Sequence, residues 1–307
     1  MNIRQLKYFV KIVEAQNMTR AAEALHIAQP ALSQQILLLE QSLDARLLHR
    51  SSRGILPTPE GELLYRHART ILRQVENTRI LLSRKEGAIT GNVSVAMPSS
   101  TAKILALRLM KQVKERHPSI VLEIVDVPSA DLLSLVTQGR VDFSVVPDPQ
   151  KPKGVNFIPL LQEELYLMAH PATRLTGHRI ALSKIAALPL ILPSMPNTLR
   201  SRVEHAFLKD HLVYNLYGEA STSAILIPAV KAGLAATILP YSAAHDEIRR
   251  EEIAIHRIAG GFTRELFLCT SDTLPASPAT TTVIQLCQAI LKQLVEEKIW
   301  KGSKLLR

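Results

Sequence analysis

Met18–Leu43, MTRAAEALHIAQPALSQQILLLEQSL, decides the fold of the N-terminal region. Ala21, Ala22 and Leu25 form one apolar stripe at helical spacing, and Ile27 plugs the step that follows. Leu32, Ile36, Leu39 and Leu43 then form a second stripe, which defines a second amphipathic helix. Small side chains at Ala21 and Ala22 let the two helices cross closely, as a helix-turn-helix requires. Pro30 suits the first helical turn, where a backbone N–H has no partner anyway. Gln29, Ser33 and Gln34 occupy the face opposite the Leu/Ile stripe, and all three side chains hydrogen-bond base edges well. The pattern points to a reader of duplex DNA. An amphipathic hairpin inside an all-α core is the alternative.

The flanks favour the first reading. Upstream, Leu6, Phe9, Val10 and Val13 define a third short helix. Downstream, Leu47–Pro57 alternates apolar and polar residues around Ser51-Ser52-Arg53-Gly54, the pattern of a small β-wing. Arg50 and Arg53 on that wing would lie beside the phosphate backbone. Three helices and a basic hairpin make a winged helix-turn-helix over residues 1–58.

Thr58-Pro59 starts the next helix with an N-cap hydroxyl and a proline at its first position. Leu64, Ala68, Ile71, Val75, Thr78 and Leu82 follow steps of four and three, a coiled-coil seam on a helix expected to run to about Glu86. Its exposed arginines favour a dimerisation helix over a core helix of the first domain. Gly87–Gly91 is the expected hinge, so residues 59–90 form the linker.

Beyond the hinge, short apolar strands alternate with helices, which argues for a parallel α/β sheet. Strands are expected at Asn92–Met97, Val121–Val127, Val141–Val146, Glu164–His170, Leu190–Leu192, Tyr214–Tyr217, Ala236–Leu239 and Glu265–Ser271. The charge run His245–Glu252 reads as a solvated loop or helix face. In open α/β sheets, ligands sit where strand ends meet helix N-termini. That rule selects Ser99, Ser100 and Thr101, then Ser129, Ser194 and Thr222, whose hydroxyls suit a carboxylate or another small anion. Ser and Thr are also the preferred helix caps whatever binds nearby.

The charge balance agrees with a DNA partner. The 307-residue chain has a net charge of +10 and a pI near 9.7. Residues 1–90 carry 13 Lys and Arg against 8 Asp and Glu, the same surplus of five as the much longer remainder. Positive charge is therefore denser at the N-terminal end, as phosphate contact favours. Cys269 and Cys287 are too few for a disulfide framework and fall among apolar residues. No signal peptide or membrane span is expected, which suggests a cytoplasmic protein. Gly-rich phosphate loops, GxSxG, HExxH and CxxC spacings are missing from the sequence, so neither an enzyme nor a metal or cofactor site is expected.

Residues 1–61, with the LKYF helix, AAEALHIAQPALSQQI, the LL-x-R-x-x-R-G wing and the TPEG step, resemble the DNA-binding end of LysR-type transcriptional regulators. The run KYFVKIVEA…LHIAQPALSQQ is similar to the nitrogen assimilation control branch. Many members carry Arg or Lys where this chain has Gln34. The resemblance implies a two-lobed effector domain over 91–307, like a periplasmic binding protein, with lobe I at 91–161 and 267–307 and lobe II at 162–266. The chain would cross between lobes near Leu160–Leu161 and Leu266–Leu268. It implies a self-associating protein, dimeric through the linker helix and tetrameric overall, with RNA polymerase as a candidate partner. Gln29, Pro30, Ser33 and Gln34 would face bases, while Arg50, Arg53, Thr19 and Arg4 would hold phosphates. The effector pocket would use the strand-end loops. A second implied reading is a regulator without a small-molecule effector, controlled by its abundance.

Overall fold

The computed structural model describes the chain except Ser52, Arg53, 83–88, Lys151, Thr176, His178, Leu274 and Arg307, and except the side chains of Arg50, Asn77 and 80–82. The chain separates into two compact units, residues 1–86 with 138–140 and residues 87–137 with 141–307.

The first unit begins with α1 (Ile3–Ala15), α2 (Met18–Leu25) and α3 (Gln29–Leu43). Asn2 and Gln5 cap α1 reciprocally, and Asn17 accepts from Arg20 N to cap α2. His26 takes a left-handed conformation (φ 55°) and ends α2, so the chain reverses at once into α3. Phe9, Ile12, Ala21, Leu32, Ile36 and Leu39 are fully buried where the three helices meet. Leu43 ends the α3 stripe at 38 % exposure, outside that core.

A two-stranded hairpin follows, β1 (Leu48–Ser51) with β2 (Gly54–Pro57), antiparallel with Leu48 opposite Pro57. Two contacts set its angle to the helices. Ile55 N donates to Gln16 O at 2.9 Å, and Glu40 Oε1 accepts from Leu47 N at 2.7 Å and Leu48 N at 3.3 Å. Thr58 then opens α4 (Pro59–Leu82): its hydroxyl accepts from Gly61 N at 2.9 Å and donates to Arg46 O. Leu64, Ala68 and Ile71 of the expected α4 seam pack against Leu6 and Val10 of α1. The first part of the seam is thus core, because α1 presents its own second apolar stripe to it. Residues Gly87 and Ala88 of the expected hinge lie outside the described residues.

The second unit is α/β. Lobe I holds β3 (Gly91–Met97), α5 (Ser99–Arg116), β4 (Ile120–Asp126), α6 (Leu132–Thr137) and β5 (Phe143–Pro147). The chain leaves it along β6 (Val155–Ala169). Lobe II contains β7 (Arg179–Ile180), α7 (Leu182–Ala186), β8 (Pro189–Pro193), α8 (Thr198–Lys209), β9 (Asn215–Ala220), α9 (Ser223–Lys231) and β10 (Thr237–Pro240). A 3-10 turn at Tyr241–Ala244, α10 (His245–Arg249) and β11 (Ala254–Ile258) complete it. β12 (Thr263–Ser271) returns to lobe I, followed by α11 (Pro278–Glu296) and β13 (Ser303–Leu305).

β3 pairs in parallel with β4 and β5, as the strand–helix alternation predicts. The expectation of a wholly parallel sheet is corrected at β6 and β12. These two run antiparallel to each other, β12 also lies antiparallel to β5, and β10, β11 and β13 join β6 antiparallel. The expected strand at Glu164–His170 is only the second half of β6. The register between β6 and β12 shifts at Leu266/Phe267, opposite Leu161 and Pro159. Pro159 has no N–H to give the ladder, which accounts for an irregularity there. The charge run His245–Glu252 forms a short helix and turn whose residues from Asp246 on are exposed or half-buried, as expected; only His245, 5 % exposed behind the buried turn before it, departs from that reading. Apolar cores lie within lobe II and on both faces of the lobe I sheet.

Candidate DNA-reading face and interlobe crevice

In the first unit, Gln29, Pro30, Ser33 and Gln34 share one side of α3 and line a groove of about 770 Å³. Leu37, Glu40, Arg46, Leu48 and His49 complete its walls. Gln29, Pro30 and Gln34 are exposed and Ser33 is half-buried. The glutamines bring donors and acceptors on short flexible arms, which suits base edges in a major groove. Arg46 and His49, both exposed, place cationic or polar side chains at the wing base. The helix-turn-helix pattern does not point to them; their position just before and within the first wing strand is the signal that identifies them. Thr19 is exposed at the start of α2. Arg4 is exposed on α1, with its guanidinium 5.9 Å from the Tyr8 ring centroid. Arg50 stands in β1 opposite Ile55, but its side chain, like the whole of Arg53, lies outside the described residues.

In the second unit, four of the six hydroxyl residues expected at a ligand meet in one crevice. Ser99, Ser100, Ser129 and Thr222 line it together with Asn197, Ser221 and Arg264. Thr101 and Ser194 are not in its wall. Thr101 is wholly buried, and Ser194 is held by a backbone bond to Ala220 O. The crevice has room for about 40 Å³. Neither α5 nor α9 receives a side-chain cap at its N-terminus there, and the partial positive charge of an uncapped helix start favours an anion. The Ser129 hydroxyl is buried without a hydrogen-bond partner.

Arg264 is the residue that strand-end reasoning missed. It is 4 % exposed on β12, donates from Nε to Glu163 Oε1 at 2.7 Å, and donates from Nη2 to Ser100 Oγ at 2.9 Å. Glu163, 1 % exposed, also accepts from Trp300 Nε1 at 2.8 Å and Ser242 Oγ at 3.1 Å. A buried guanidinium is thus oriented by a buried carboxylate and turned toward the hydroxyls. Arg200, also 4 % exposed, differs in kind. Its donors go to Glu204, Glu219, Tyr214 and Pro193 O, which tie α8 to β8 and β9. Burial alone would lower its pKa, but its hydrogen bonds to Glu204 and Glu219 outweigh that and hold it above the ordinary arginine value.

Two ion pairs bridge the lobes beside the crevice. Arg202 of α8 lies 2.7 Å from Asp148, just after β5, and Lys103 of α5 lies 2.6 Å from Glu247 of α10. Asp148 holds a left-handed backbone (φ 43°) and exchanges hydrogen bonds with the Glu265 backbone, which fixes its position after β5. An outer chamber of about 680 Å³ opens beside this pair, between Leu133, Val146 and Pro147 on one side and Thr198, Arg202 and His205 on the other. Among the described residues no cluster of three or more His, Cys, Asp or Glu suits a metal ion. Within the same residues, no helix is long and apolar enough to cross a membrane.

A winged helix-turn-helix joined to a two-lobed crevice domain defines a DNA-binding transcription regulator. Residues 3–62 match the bacterial regulatory helix-turn-helix proteins of the lysR family, and residues 86–292 match the LysR substrate binding domain. The chain belongs to the LysR family of transcriptional regulators, a family of regulators rather than enzymes. It is 35 % identical to the nitrogen assimilation regulatory protein nac of Klebsiella aerogenes over 99 % of both chains. It is 36 % identical to the protein of that name from Escherichia coli K12, over 97 % of this chain and 98 % of that one. Among solved structures, a full-length OxyR variant from Pseudomonas aeruginosa shares the fold at a TM-score of 0.75 and 21 % identity, covering 100 % of this chain and 99 % of that one. CbnR complexed with its target DNA superposes at a TM-score of 0.71 and 23 % identity, covering 94 % of this chain and 99 % of that one.

Proposed function

We propose that this regulator reads an interrupted dyad of the T-N11-A kind through Gln29, Pro30, Ser33 and Gln34, with Thr19, Arg50, Arg53 and Arg4 on phosphates. The observation that carries this reading is the single groove in which the four α3 residues stand beside Arg46 and His49. The boundaries that go with it are 1–58 for the reader, 59–90 for the linker and 91–307 for the effector domain, with lobe I at 91–161 and 267–307 and lobe II at 162–266. The linker helix pairs two chains, and a tetramer forms through apolar surface on the effector domain. Leu107, Met110 and Val121 near the β4 edge, and Leu208, Val213 and Tyr217 near the β9 edge, are each more than 45 % exposed and support such contacts. RNA polymerase is a proposed downstream partner, in the cytoplasm with the DNA.

The crevice takes a small carboxylate or similar anion, held by Arg264, Ser99, Ser100, Ser129 and Thr222. The buried Arg264 guanidinium is the strongest support for an anionic ligand. One observation favours a second reading, a regulator of nitrogen assimilation controlled by its abundance. The crevice at Arg264, of about 40 Å³, holds only a few waters, far below the roughly 300–1,000 Å³ of ordinary metabolite pockets, a range that only the adjoining outer chamber reaches.

Selection of genomic fragments by the full-length protein at near-physiological salt tests the first claim. Fragments sharing an interrupted dyad are expected, and Gln29→Ala with Ser33→Ala is expected to change the enriched bases; an unchanged motif overturns the base-reading assignment. For the crevice, formate and acetate are titrated against thermal unfolding. A rise in Tm that Arg264→Met abolishes is expected, and no rise with either anion favours control by abundance.

A further inference from the structure

We propose that Leu37 is a base-reading residue that recognises the 5-methyl group of thymine. This rests on the reading of the α3 groove as the face that meets DNA. α3 buries Leu32, Ile36 and Leu39 completely, yet Leu37 is 51 % exposed. At about 100° per residue, and with Gln29 at zero, Ser33 falls near 40°, Leu37 near 80° and Gln34 near 140° on the helix. Leu37 therefore stands in the middle of the polar face, between two side chains suited to base edges. It lines the groove with Gln29, Pro30, Ser33 and Gln34.

An isobutyl group at that place needs an explanation, because it contributes nothing to the core the other leucines build. Leu38 is 43 % exposed but lies outside the groove, so exposure alone does not select Leu37. Among the major-groove edges of the four bases only thymine carries a methyl group, at C5, for an apolar side chain to meet. Glutamine pairs well with adenine through N6 and N7, and Gln34 is one helical step along from Leu37. An A·T pair next to the base read by Gln34, with its thymine methyl against Leu37, satisfies both side chains. A cytosine there presents only C5–H where thymine has its methyl, so the leucine loses that contact, and Leu37 adds discrimination that hydrogen bonding by Ser33 and Gln34 does not provide.

The test uses duplexes selected from a random pool by the full-length wild-type protein. Each thymine is replaced in turn by uracil, which removes only the methyl group. At one position per half-site a loss of about fourfold in affinity is expected, the equivalent of about 0.8 kcal/mol or one buried methyl. Leu37→Ala is expected to bind the thymine and uracil duplexes equally, while Leu37→Met keeps most of the difference. Gln29→Ala is measured on the same duplexes. If no uracil position responds to Leu37→Ala while Gln29→Ala still relaxes base preference, the thymine assignment falls and the reading face stands. If neither variant changes preference, both fall. A shift in oligomeric state of Leu37→Ala without a uracil effect also overturns the inference, and places Leu37 in a contact between copies instead.

Discussion

The Glu163–Arg264 pair offers the sharpest perturbation of the effector domain. Glu163 accepts three hydrogen bonds on two oxygens, at 2.7, 2.8 and 3.1 Å, from Arg264, Trp300 and Ser242. Both charges are buried, at 1 % and 4 % exposure. Arg264→Met preserves volume but leaves the carboxylate with two neutral donors in a medium that solvates charge poorly. Removing one partner of a buried pair costs about 3–5 kcal/mol. For a domain of this size each kcal/mol moves Tm by about 2–4 °C, so a fall of roughly 6–20 °C is expected. Glu163→Leu is expected to fall similarly, since it strands the guanidinium. The double variant is expected to lose clearly less than the sum, because the two penalties are one interaction counted twice. Trp300 is the chain's single tryptophan, and its indole N–H is bonded to Glu163, so intrinsic fluorescence reports unfolding from within the cluster. The reasoning is refuted if either single variant shifts the fluorescence transition by less than about 2 °C, or if the two losses add.

Other outcomes follow from single residues. Gly61→Ala is expected to destabilise the DNA-binding unit by about 1–3 kcal/mol in urea unfolding, despite the better helix propensity of alanine. A Cβ there would press into the Leu47 carbonyl, so unchanged or increased stability would contradict that contact. Burial pushes the Cys269 and Cys287 thiols up to about 12, so neither is expected to react with a disulfide reagent at pH 8 until denaturant is added. Burial also holds His256 below the ordinary imidazole value. The folded form then binds fewer protons than the unfolded one, and stability is expected to fall as pH drops below about 6.5. Melting curves of wild type and His256→Gln between pH 7.5 and 5 check this; the variant should show the shallower decline.

How much the chain reveals of itself depends on the range of the interactions. α2 and α3 are legible because Ala21, Ala22, Leu32, Ile36 and Leu39 repeat at local helical spacing and all end up in one core. The wing is legible from alternation around Gly54, whose φ of 124° suits glycine. β6 is not, because Pro159 and the polar run Gln162-Glu163-Glu164 break its apolar pattern. Glu163 reads as a surface charge, and only Arg264, 101 residues later, makes its burial tolerable. Arg264 follows Gly260-Gly261 and reads as part of an exposed turn for the same reason. The strand-end rule selects loops, not the direction a hydroxyl faces within them, so it leads equally to Ser99, Ser100, Ser129 and Thr222, which line the crevice, and to Thr101 and Ser194, which do not. His245 alone in the charged run His245–Glu252 is buried, because the apolar turn Tyr241–Ala244 precedes it.

The size of the crevice decides what a ligand would do to the domain. In this conformation the lobes are bridged by Arg202–Asp148 and Lys103–Glu247, and only about 40 Å³ remains between the hydroxyl loops. A ligand shifts conformation only by its difference in affinity for two states. A small anion seated on Arg264 fits the bridged state and would favour it, while a metabolite too large for the hydroxyl crevice would have to part its loops to reach Arg264 and would favour the opened one. Lys103→Ala removes one bridge without touching the crevice wall. Partly exposed pairs of this kind are worth about 0–1 kcal/mol, so the variant is expected to change affinity by up to about fivefold. The direction carries the information: weaker binding than wild type identifies a ligand of the bridged state, and tighter binding one of the opened state. For formate or acetate, weaker binding is expected. Tighter binding of either would mean that the anion enters by separating the lobes, contrary to the geometry of Arg264, Ser100 and Ser129.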